Sequence, residues 1–299
     1  MSYYMQLRTQ DTPHPRQKTI SKSNRANCEL GGNKVASCSI VQDNFKPRDS
    51  RLQVALCVYD EYERDLLLSS ICNASASYDI NFGYEEDDGP HKWPGVCNTG
   101  ARQSPIDISS SAIVVENLPR IHFVHYAHAG ELHVENNGLT LIGKGFEQWN
   151  QNQPYIYGGD LNGKYFLHQF HLHWGQTNYT GSEHTIASLH YPAEMHFVHI
   201  KGGKNLSEPF LENDSIAVVA IFVKLGIDEN NFQPLEAYIR NITEPESELE
   251  VPNFRLIHFL PRDLETFYRY DGSLTTPPCS EAVIWTIMAD PITISASQV

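Results

Sequence analysis

From residue 79 onward, short runs rich in β-branched and aromatic residues alternate with clusters of Gly, Asn, Pro and Asp. A period of two places successive side chains on opposite faces of a strand, and the turn residues end each strand after a few positions. The pattern therefore predicts a mainly β domain with a large sheet at its core and few short helices. The runs that carry it are ELHVEN (131–136), LTLIG (139–143), YFLHQFHLHW (165–174), AEMHFVHI (193–200), IAVVAIFVKLG (216–226) and AVIWTIM (282–288).

Residues 1–78 lack this pattern. The stretch 1–50 is polar and has no sustained period of 2 or 3.6, which predicts a poorly ordered segment. The apolar positions of 51–71 are compatible with one short helix. We therefore divide the chain into a leader, 1–78, and a domain, 79–299. The leader is compatible with an isoform-specific start or with a gene-model extension, and about equally with a genuine but disordered segment.

The formal net charge is -14, with a net charge of +2 over residues 1–72 and of -16 over residues 73–299. Phosphate backbones are bound by basic surfaces, so this charge argues against nucleic acid as a partner. The chain has no run of 18 apolar residues, and no transmembrane segment is predicted. Its N-terminus lacks the apolar stretch of a secretory signal, although residues 66–79 resemble the end of one. The oligomeric state stays open.

The six cysteines form no CxxC pair, which argues against a zinc ribbon or a thioredoxin-type site. Only Cys97 and Cys279 lie beyond residue 72, and by themselves they could be a disulfide or two buried thiols. Asn-x-Ser/Thr sequons favour a glycoprotein of the secretory pathway. They begin at Asn73, Asn178, Asn205, Asn213 and Asn241.

Three histidines are candidate metal ligands. In a strand, His171 and His173 of QFHLHWG (169–175) project from the same face. In AEMHFVHI, His196 shares one face with Glu194 and Val198. Two histidines from one strand and one from its neighbour would give Zn²⁺ three nitrogen ligands and an open fourth position, as in catalytic zinc sites. From the pattern alone, two other interpretations stay open: the HxH spacing arises by chance, or the histidines are core residues with satisfied hydrogen bonds.

Six blocks in a fixed order carry a family resemblance. They are GPHKWPG (89–95), RQSPIDI (102–108), QFHLHWG (169–175), GSEHT (181–185), AEMHFVHI (193–200) and GSLTTPPCSEAVIW (272–285). Residues 79–299 resemble an α-class carbonic anhydrase. The resemblance implies one large, mostly antiparallel twisted sheet. It also implies a lyase that interconverts carbon dioxide and bicarbonate, with zinc hydroxide as the nucleophile.

The resemblance also implies roles for other residues. Thr275 accepts a hydrogen bond from the hydroxide and donates its own proton to Glu183, and Thr276 helps to position bicarbonate. Nonpolar carbon dioxide is received by an apolar wall. The pocket residues implied in this way are Val198, Val218, Leu274, Val283, Trp285, Leu139 and Tyr84.

Groups behind the ligands follow from the same resemblance. Gln169 accepts from His171, Glu194 accepts from His196, and His184 supports Glu194. These partners fix the tautomers of the metal-binding rings.

Secreted members of the family carry a disulfide at the positions of Cys97 and Cys279. With the sequons, this implies an extracellular or secretory-pathway location.

The chain departs from the family at two places. Leu139 stands where the fast members have a histidine that carries protons, and leucine cannot titrate. We consider His168, at the rim of the pocket, as a partial substitute or as a simple rim residue. Family members also continue beyond the equivalent of Val299 with a segment that supplies the usual acceptor for His173. The sequence therefore resembles a C-terminally truncated form.

Two rival functions remain open at this stage. A catalytically weak or silent relative would act as a binding module, and loss of a zinc histidine would mark that class. A structural protein in a mineral-forming assembly would show Gly/Asn-rich or acidic repeats, and none occurs in the sequence.

Overall fold

The computed structural model describes residues 82–202, 214–226 and 231–295, together with backbone strands at 3–7, 24–30, 34–40 and 55–57. The strands of these residues are β1 (Tyr3–Leu7), β2 (Asn24–Leu30), β3 (Lys34–Ile40), β4 (Ala55–Cys57), β5 (Asp107–Ile108), β6 (Ile113–Asn117), β7 (Ile121–Val124), β8 (Gly130–Asn136), β9 (Leu141–Lys144), β10 (Tyr155–Gly158), β11 (Tyr165–Trp174), β12 (Thr185–Ile186), β13 (Ala193–Lys201), β14 (Ile216–Gly226), β15 (Ser247–Phe254), β16 (Phe267–Gly272) and β17 (Val283–Ser295). The helices are α1 (Val96–Thr99) and α2 (Gln233–Ile239), with 3₁₀ turns at Pro90–Lys92, Ser110–Ala112, Phe146–Asn152 and Leu256–Phe259.

One twelve-stranded sheet forms the body of the domain. Its strand order is β15-β8-β9-β11-β13-β14-β17-β16-β1-β6, and β10 joins β7 to β11 beside this path. Within that sheet, among the strands described, only β14 with β17 and β1 with β16 pair in parallel. The mainly β, mostly antiparallel fold expected from the sequence is thus confirmed, and each of the six predicted runs contributes a strand.

The central strands are covered on both faces. The first eight residues of β14, IAVVAIFV, are all buried, as a continuous apolar run in a two-sided strand requires. In β13 the alternation separates two environments. Met195 and Phe197 pack into the larger apolar cluster, whereas Val198 packs into a smaller cluster on the other face. His196 shares the face of Val198, so the candidate metal ligands lie on the side of the smaller cluster.

The leader contains strands that periodicity did not indicate. Backbone contacts divide the chain into two compact units, 1–10 with 79–299, and 11–78. In the first unit, β1 lies between β16 and β6. In the second, β2, β3 and β4 form a small antiparallel sheet.

Strand pairing is made by backbone groups, so it does not require an alternating side-chain pattern. Where one short helix was expected in 51–71, the structure has the strand Ala55–Cys57. The rest of that segment lies outside the described residues. The boundary at residue 79 stays a prediction.

A disulfide joins Cys97 in α1 to Cys279, which lies just before β17. The two Cα atoms are 5.0 Å apart and the cysteines are separated by 182 positions in the chain. The pairing implied by the family resemblance is therefore present. It ties the loop between β16 and β17 to the first helix of the domain.

We expect the double variant Cys97→Ser/Cys279→Ser to lose about 2–5 kcal/mol of unfolding free energy, because the bond closes a very long loop in the unfolded chain. Urea unfolding of the variant and of the oxidised protein measures the loss. Reduced wild-type protein is the matched control and should unfold like the variant. Equal midpoints for all three samples would contradict the prediction.

Candidate metal centre

The pairing of β11 with β13 brings the three histidines together. In the antiparallel register His171 lies opposite His196, and His173 lies opposite Glu194. The ring centroids are 4.9 Å apart for His171 and His173, 5.2 Å for His171 and His196, and 4.6 Å for His173 and His196. One ring nitrogen from each lies within 4.8 Å of the other two, close enough for all three to hold a single ion.

Hydrogen bonds select which ring nitrogens face inward. His171 Nδ1 donates to Gln169 Oε1 at 2.9 Å, and His196 Nε2 donates to Glu194 Oε1 at 2.6 Å. These bonds leave Nε2 of His171 and Nδ1 of His196 for another partner. Nε2 of His173 is buried and has no hydrogen-bond partner among the described residues.

A buried polar atom without a partner costs free energy. An ion bound to the three histidines through Nε2 of His173 would remove that cost. Zinc prefers histidine nitrogen and takes three such ligands in catalytic sites, so the residues present fit this metal.

Burial keeps the three rings uncharged. It lowers the pKa of His171 to about 3, with a smaller contribution from His196. The pKa of His173 also lies well below its usual value because of burial and then the neighbouring His196 and His171. Burial lowers the pKa of His196 despite the opposing charge of Glu194. Neutral imidazoles have the free lone pair that a metal requires.

Glu183 lies beside the same rings. Its Oε1 is 3.3 Å from His173 Nδ1, and its Oε2 is 3.9 Å from His196 Nδ1. Burial, followed by the charge of Glu194, raises the pKa of Glu183 well above its usual range, and a hydrogen bond with Thr275 opposes this rise. The structure therefore brings Thr275 and Glu183 into contact. It also gives His173 a carboxylate neighbour that sequence reasoning did not foresee.

A chain of buried hydrogen bonds extends behind His196. Oε1 of Glu194 also accepts from His184 Nδ1 at 2.7 Å, and Oε2 accepts from the His184 backbone N–H at 2.8 Å. His184 Nε2 is hydrogen-bonded to the Tyr270 hydroxyl at 2.6 Å, and that hydroxyl donates to Ser104 Oγ at 2.8 Å. Burial would raise the pKa of Glu194, but His184 and His196 hold it well below its usual value.

Sequence reasoning placed His184 behind Glu194 but missed Tyr270 and Ser104. A signal for both was available. Ser104 lies within the block RQSPIDI, and Tyr270 lies two residues before the block GSLTTPPCSEAVIW. Their contact with each other required the fold, since 166 positions separate them in the chain.

The residues proposed for the apolar wall belong to one cluster. Val198, Val218, Val283 and Trp285 are buried in it, and Leu274 packs against its edge. The parallel pairing of β14 with β17 sets Val218 opposite Trp285.

The two remaining pocket residues are more exposed. Leu139 is 44% exposed in the turn between β8 and β9. The Tyr84 side chain is half-exposed, and partial burial and the negative charge of Glu183 raise the pKa of its hydroxyl to about 12.

Several bonds secure the loop that carries Thr275 and Thr276. The Cys279 N–H donates to the Thr276 carbonyl at 2.9 Å, and Gln103 Nε2 donates to the Cys279 carbonyl at 3.2 Å. Glu281 Oε1 accepts from Gln103 Nε2 at 3.0 Å. With the disulfide, these bonds hold the end of the loop nearest β17 against the segment around Gln103.

His168 occupies a bulge in β11. The register with β13 shifts between Leu167 and Gln169, so His168 is the extra residue. Its Nδ1 is hydrogen-bonded to Glu147 Oε1 at 2.8 Å. His168 and Gln169 line the same cavity of about 590 Å³.

Another group of possible ligand atoms lies at the edge of that cavity, formed by His133, Glu135 and Glu248. His133 Nε2 is hydrogen-bonded to Glu248 Oε2 at 3.0 Å, and Lys144 forms an ion pair with Glu135. Because a lysine ammonium neutralises one carboxylate and a histidine binds the other, this group is an ion-pair network.

A three-histidine centre beside an apolar wall, on a mostly antiparallel sheet, is typical of mononuclear metalloenzymes. The chain belongs to the eukaryotic-type carbonic anhydrase family, whose family model matches residues 88–299. It is 46% identical over 222 residues to a Caenorhabditis elegans protein named "Putative carbonic anhydrase 5", a match that covers 74% of this chain and 72% of the relative. It is 37% identical over 214 residues to mouse (Mus musculus) carbonic anhydrase 4, covering 70% and 67% of the two chains.

No helix among the described residues has both the length and the apolar character needed to cross a membrane.

We expect His196→Ala to abolish retention of zinc, because it removes one of three converging nitrogens and one of the two ring donors of Glu194. Metal analysis of the purified variant after dialysis gives the readout. His91→Ala, at an exposed histidine, is the matched control and should retain zinc as the wild type does. Stoichiometric zinc in the His196 variant would show that the centre lies elsewhere.

Proposed function

We propose that the protein catalyses the reversible hydration of carbon dioxide to bicarbonate and a proton, with zinc held by His171, His173 and His196. The observation that carries the proposal is the convergence of one ring nitrogen from each of three neutral histidines, close enough together to hold a single ion. Nε2 of His173 is in addition buried without a hydrogen-bond partner among the described residues. The membership of the chain in the carbonic anhydrase family supports the choice of reaction. Zinc in this centre supplies the Lewis acidity that makes water a nucleophile near neutral pH.

Thr275 and Glu183 orient the attacking water. A threonine hydroxyl has one proton, and the ionised form of Glu183, which the hydrogen bond with Thr275 favours against burial, can only accept. Donation from Thr275 to Glu183 therefore leaves the Thr275 oxygen as an acceptor for a proton of the reacting water. That bond turns a lone pair of the water towards carbon dioxide. The backbone N–H of Thr275 holds a substrate oxygen, and Thr276 helps to place the bicarbonate product.

The apolar cluster receives the substrate. Carbon dioxide has no net charge or dipole, so contact with apolar side chains favours its binding over that of water. Val198 and Leu274 form the part of this wall nearest the ligand strand and the Thr275 loop. The negative charge of Glu183 contributes to the raised pKa of Tyr84, which supports a place for the Tyr84 hydroxyl in the water network of the pocket.

Gln169, Glu194 and His184 act on the metal ligands. As acceptors, Gln169 and Glu194 fix which nitrogen of His171 and of His196 carries the proton. His184 holds Glu194 in place through its ring and its backbone. Partners of this kind raise the basicity of a ligand and define its orientation.

We further propose that the protein matures in the secretory pathway as a glycoprotein. The disulfide supports an oxidising compartment. Of the sequon asparagines, Asn241 is exposed and Asn178 is partly exposed. Asn73, Asn205 and Asn213 lie outside the described residues.

Thr275→Ala should lower the carbon dioxide hydration rate by about 100-fold or more, the usual effect of losing one oriented polar group from a transition state. Stopped-flow hydration assays with a pH indicator measure the effect, at zinc content equal to that of the wild type. Thr275→Ser keeps the hydroxyl and is the matched control, with activity close to that of the wild type. An Ala variant as active as the Ser variant would remove Thr275 from the mechanism.

Proton release should limit the rate, since Leu139 cannot titrate. We expect Leu139→His to raise turnover in buffer-poor solution, where each cycle must return a proton to solvent. If His168 is a partial substitute, then His168→Ala lowers turnover under the same conditions, and added imidazole restores it. His128→Ala, at another exposed histidine, serves as the control. Unchanged buffer-poor turnover in His168→Ala would leave His168 as a rim residue only.

A further inference from the structure

Ser104 lies where the buried chain behind the metal centre meets the loop that carries Thr275. Its backbone N–H donates to Ser273 Oγ at 2.9 Å, and its own Oγ accepts from the Ser273 N–H at 3.0 Å. Two residues that are 169 positions apart in the chain are thus joined by a reciprocal pair of hydrogen bonds. Ser273 is fully buried and lies two residues before Thr275.

The same Ser104 oxygen also accepts from the Tyr270 hydroxyl at 2.8 Å. A serine hydroxyl oxygen has two acceptor lone pairs, and in this structure both have donors. One donor belongs to the chain that leads to His184, and the other belongs to the backbone of the Thr275 loop.

Neighbouring contacts keep Ser273 and Ser104 in place. Ser273 Oγ donates to the Leu274 carbonyl at 2.8 Å, and the indole N–H of Trp285 donates to the Ser273 carbonyl at 3.0 Å. Gly272 leaves room for the approach, since a Cβ at this position would lie 2.3 Å from Ser104 Oγ. The backbone around Ser273 therefore lies in close contact with the Ser104 side chain and leaves no room for a larger residue at position 272.

We propose that Ser104 is a positioning residue that holds the Thr275 loop in register with the metal centre. It connects Ser273 through Tyr270 and His184 to Glu194, the acceptor for His196. A small displacement of a group that orients a reacting atom can lower a rate strongly. Through this connection the Glu194 carboxylate and the Thr275 hydroxyl keep a fixed separation, although they belong to different segments of the chain. The inference rests on the proposed role of Thr275.

Ser104→Ala tests this role in the zinc-loaded protein. Loss of the hydroxyl removes the acceptor for both Tyr270 and the Ser273 N–H. We expect kcat/KM for carbon dioxide hydration to fall by about 10–100-fold, the range found for residues that orient the groups of a metal site. Zinc content should stay stoichiometric, because the three ligands and Glu194 are retained. Ser104→Thr keeps the hydroxyl and should restore most of the activity.

A double-mutant cycle with Thr275 separates positioning from general damage. If Ser104 acts through Thr275, then Ser104→Ala in a Thr275→Ala background lowers kcat/KM by less than about 2-fold more, because the group it positions is already gone. If the two reductions instead multiply in full, Ser104 does not act through Thr275 and the inference fails.

Tyr126 provides a matched control for the loss of a buried tyrosine–histidine bond. Its hydroxyl is 2.6 Å from His199 Nε2 in the larger apolar cluster, the same separation as that of Tyr270 from His184. Tyr126→Phe and Tyr270→Phe should lower the melting temperature to a similar extent, and only Tyr270→Phe should lower kcat/KM. Equal kinetic losses in the two variants would show that activity follows stability alone and would overturn the inference.

The Tyr270→Phe variant also covers the case in which Ser104→Ala does not fold, since the same cycle with Thr275→Ala applies to it. Failure of the inference and failure of the proposed function give different results. If Thr275→Ala alone has no effect, the proposed mechanism is wrong. If Thr275→Ala lowers the rate and neither Ser104→Ala nor Tyr270→Phe does, only the positioning role is wrong.

Discussion

The register between β11 and β13 is the constraint on which the candidate centre depends. It sets His171 opposite His196 and His173 opposite Glu194. Because side chains alternate along a strand, a slip of one residue would turn His196 into the large apolar cluster and bring Phe197 to the metal side. The packing of Phe170 against Phe197, with ring centroids 5.8 Å apart, opposes such a slip. The bulge at His168 shifts the register between Leu167 and Gln169, before the pairs that contain His171 and His173.

Burial keeps the three imidazoles of the centre neutral, but it also disfavours the charged form of Glu194. The histidines that are hydrogen-bonded to Glu194 offset this cost. Removing three imidazoles from water disfavours their charged forms, which leaves neutral nitrogens available to a metal. The same burial would neutralise Glu194, yet His184 and His196 keep that carboxylate charged. A buried charge persists only where it is paired and hydrogen-bonded. The hydrogen bonds from His184 and His196 therefore keep Glu194 charged and able to accept from the ring of His196.

Two separate devices hold the loop of Thr275. The disulfide and the Glu281 contacts secure its far side, and the reciprocal bonds of Ser104 and Ser273 secure its near side. Each device joins segments that are more than 160 positions apart in sequence. Such contacts restrict the position of the loop that carries Thr275 and Thr276.

The amino-acid sequence alone determined the six strands of the domain core and the shared face of His171 and His173, because strand alternation and local spacing are properties of neighbouring residues. Family resemblance added the choice of the three histidines as metal ligands, their partners Gln169 and Glu194, the contact of Thr275 with Glu183 and the Cys97–Cys279 disulfide. Only the tertiary structure decided the place of β1 in the sheet, the bulge at His168, and the link from Tyr270 through Ser104 to Ser273. These features come from pairing and close approach between distant segments, and no local pattern of residues encodes which backbone groups will meet.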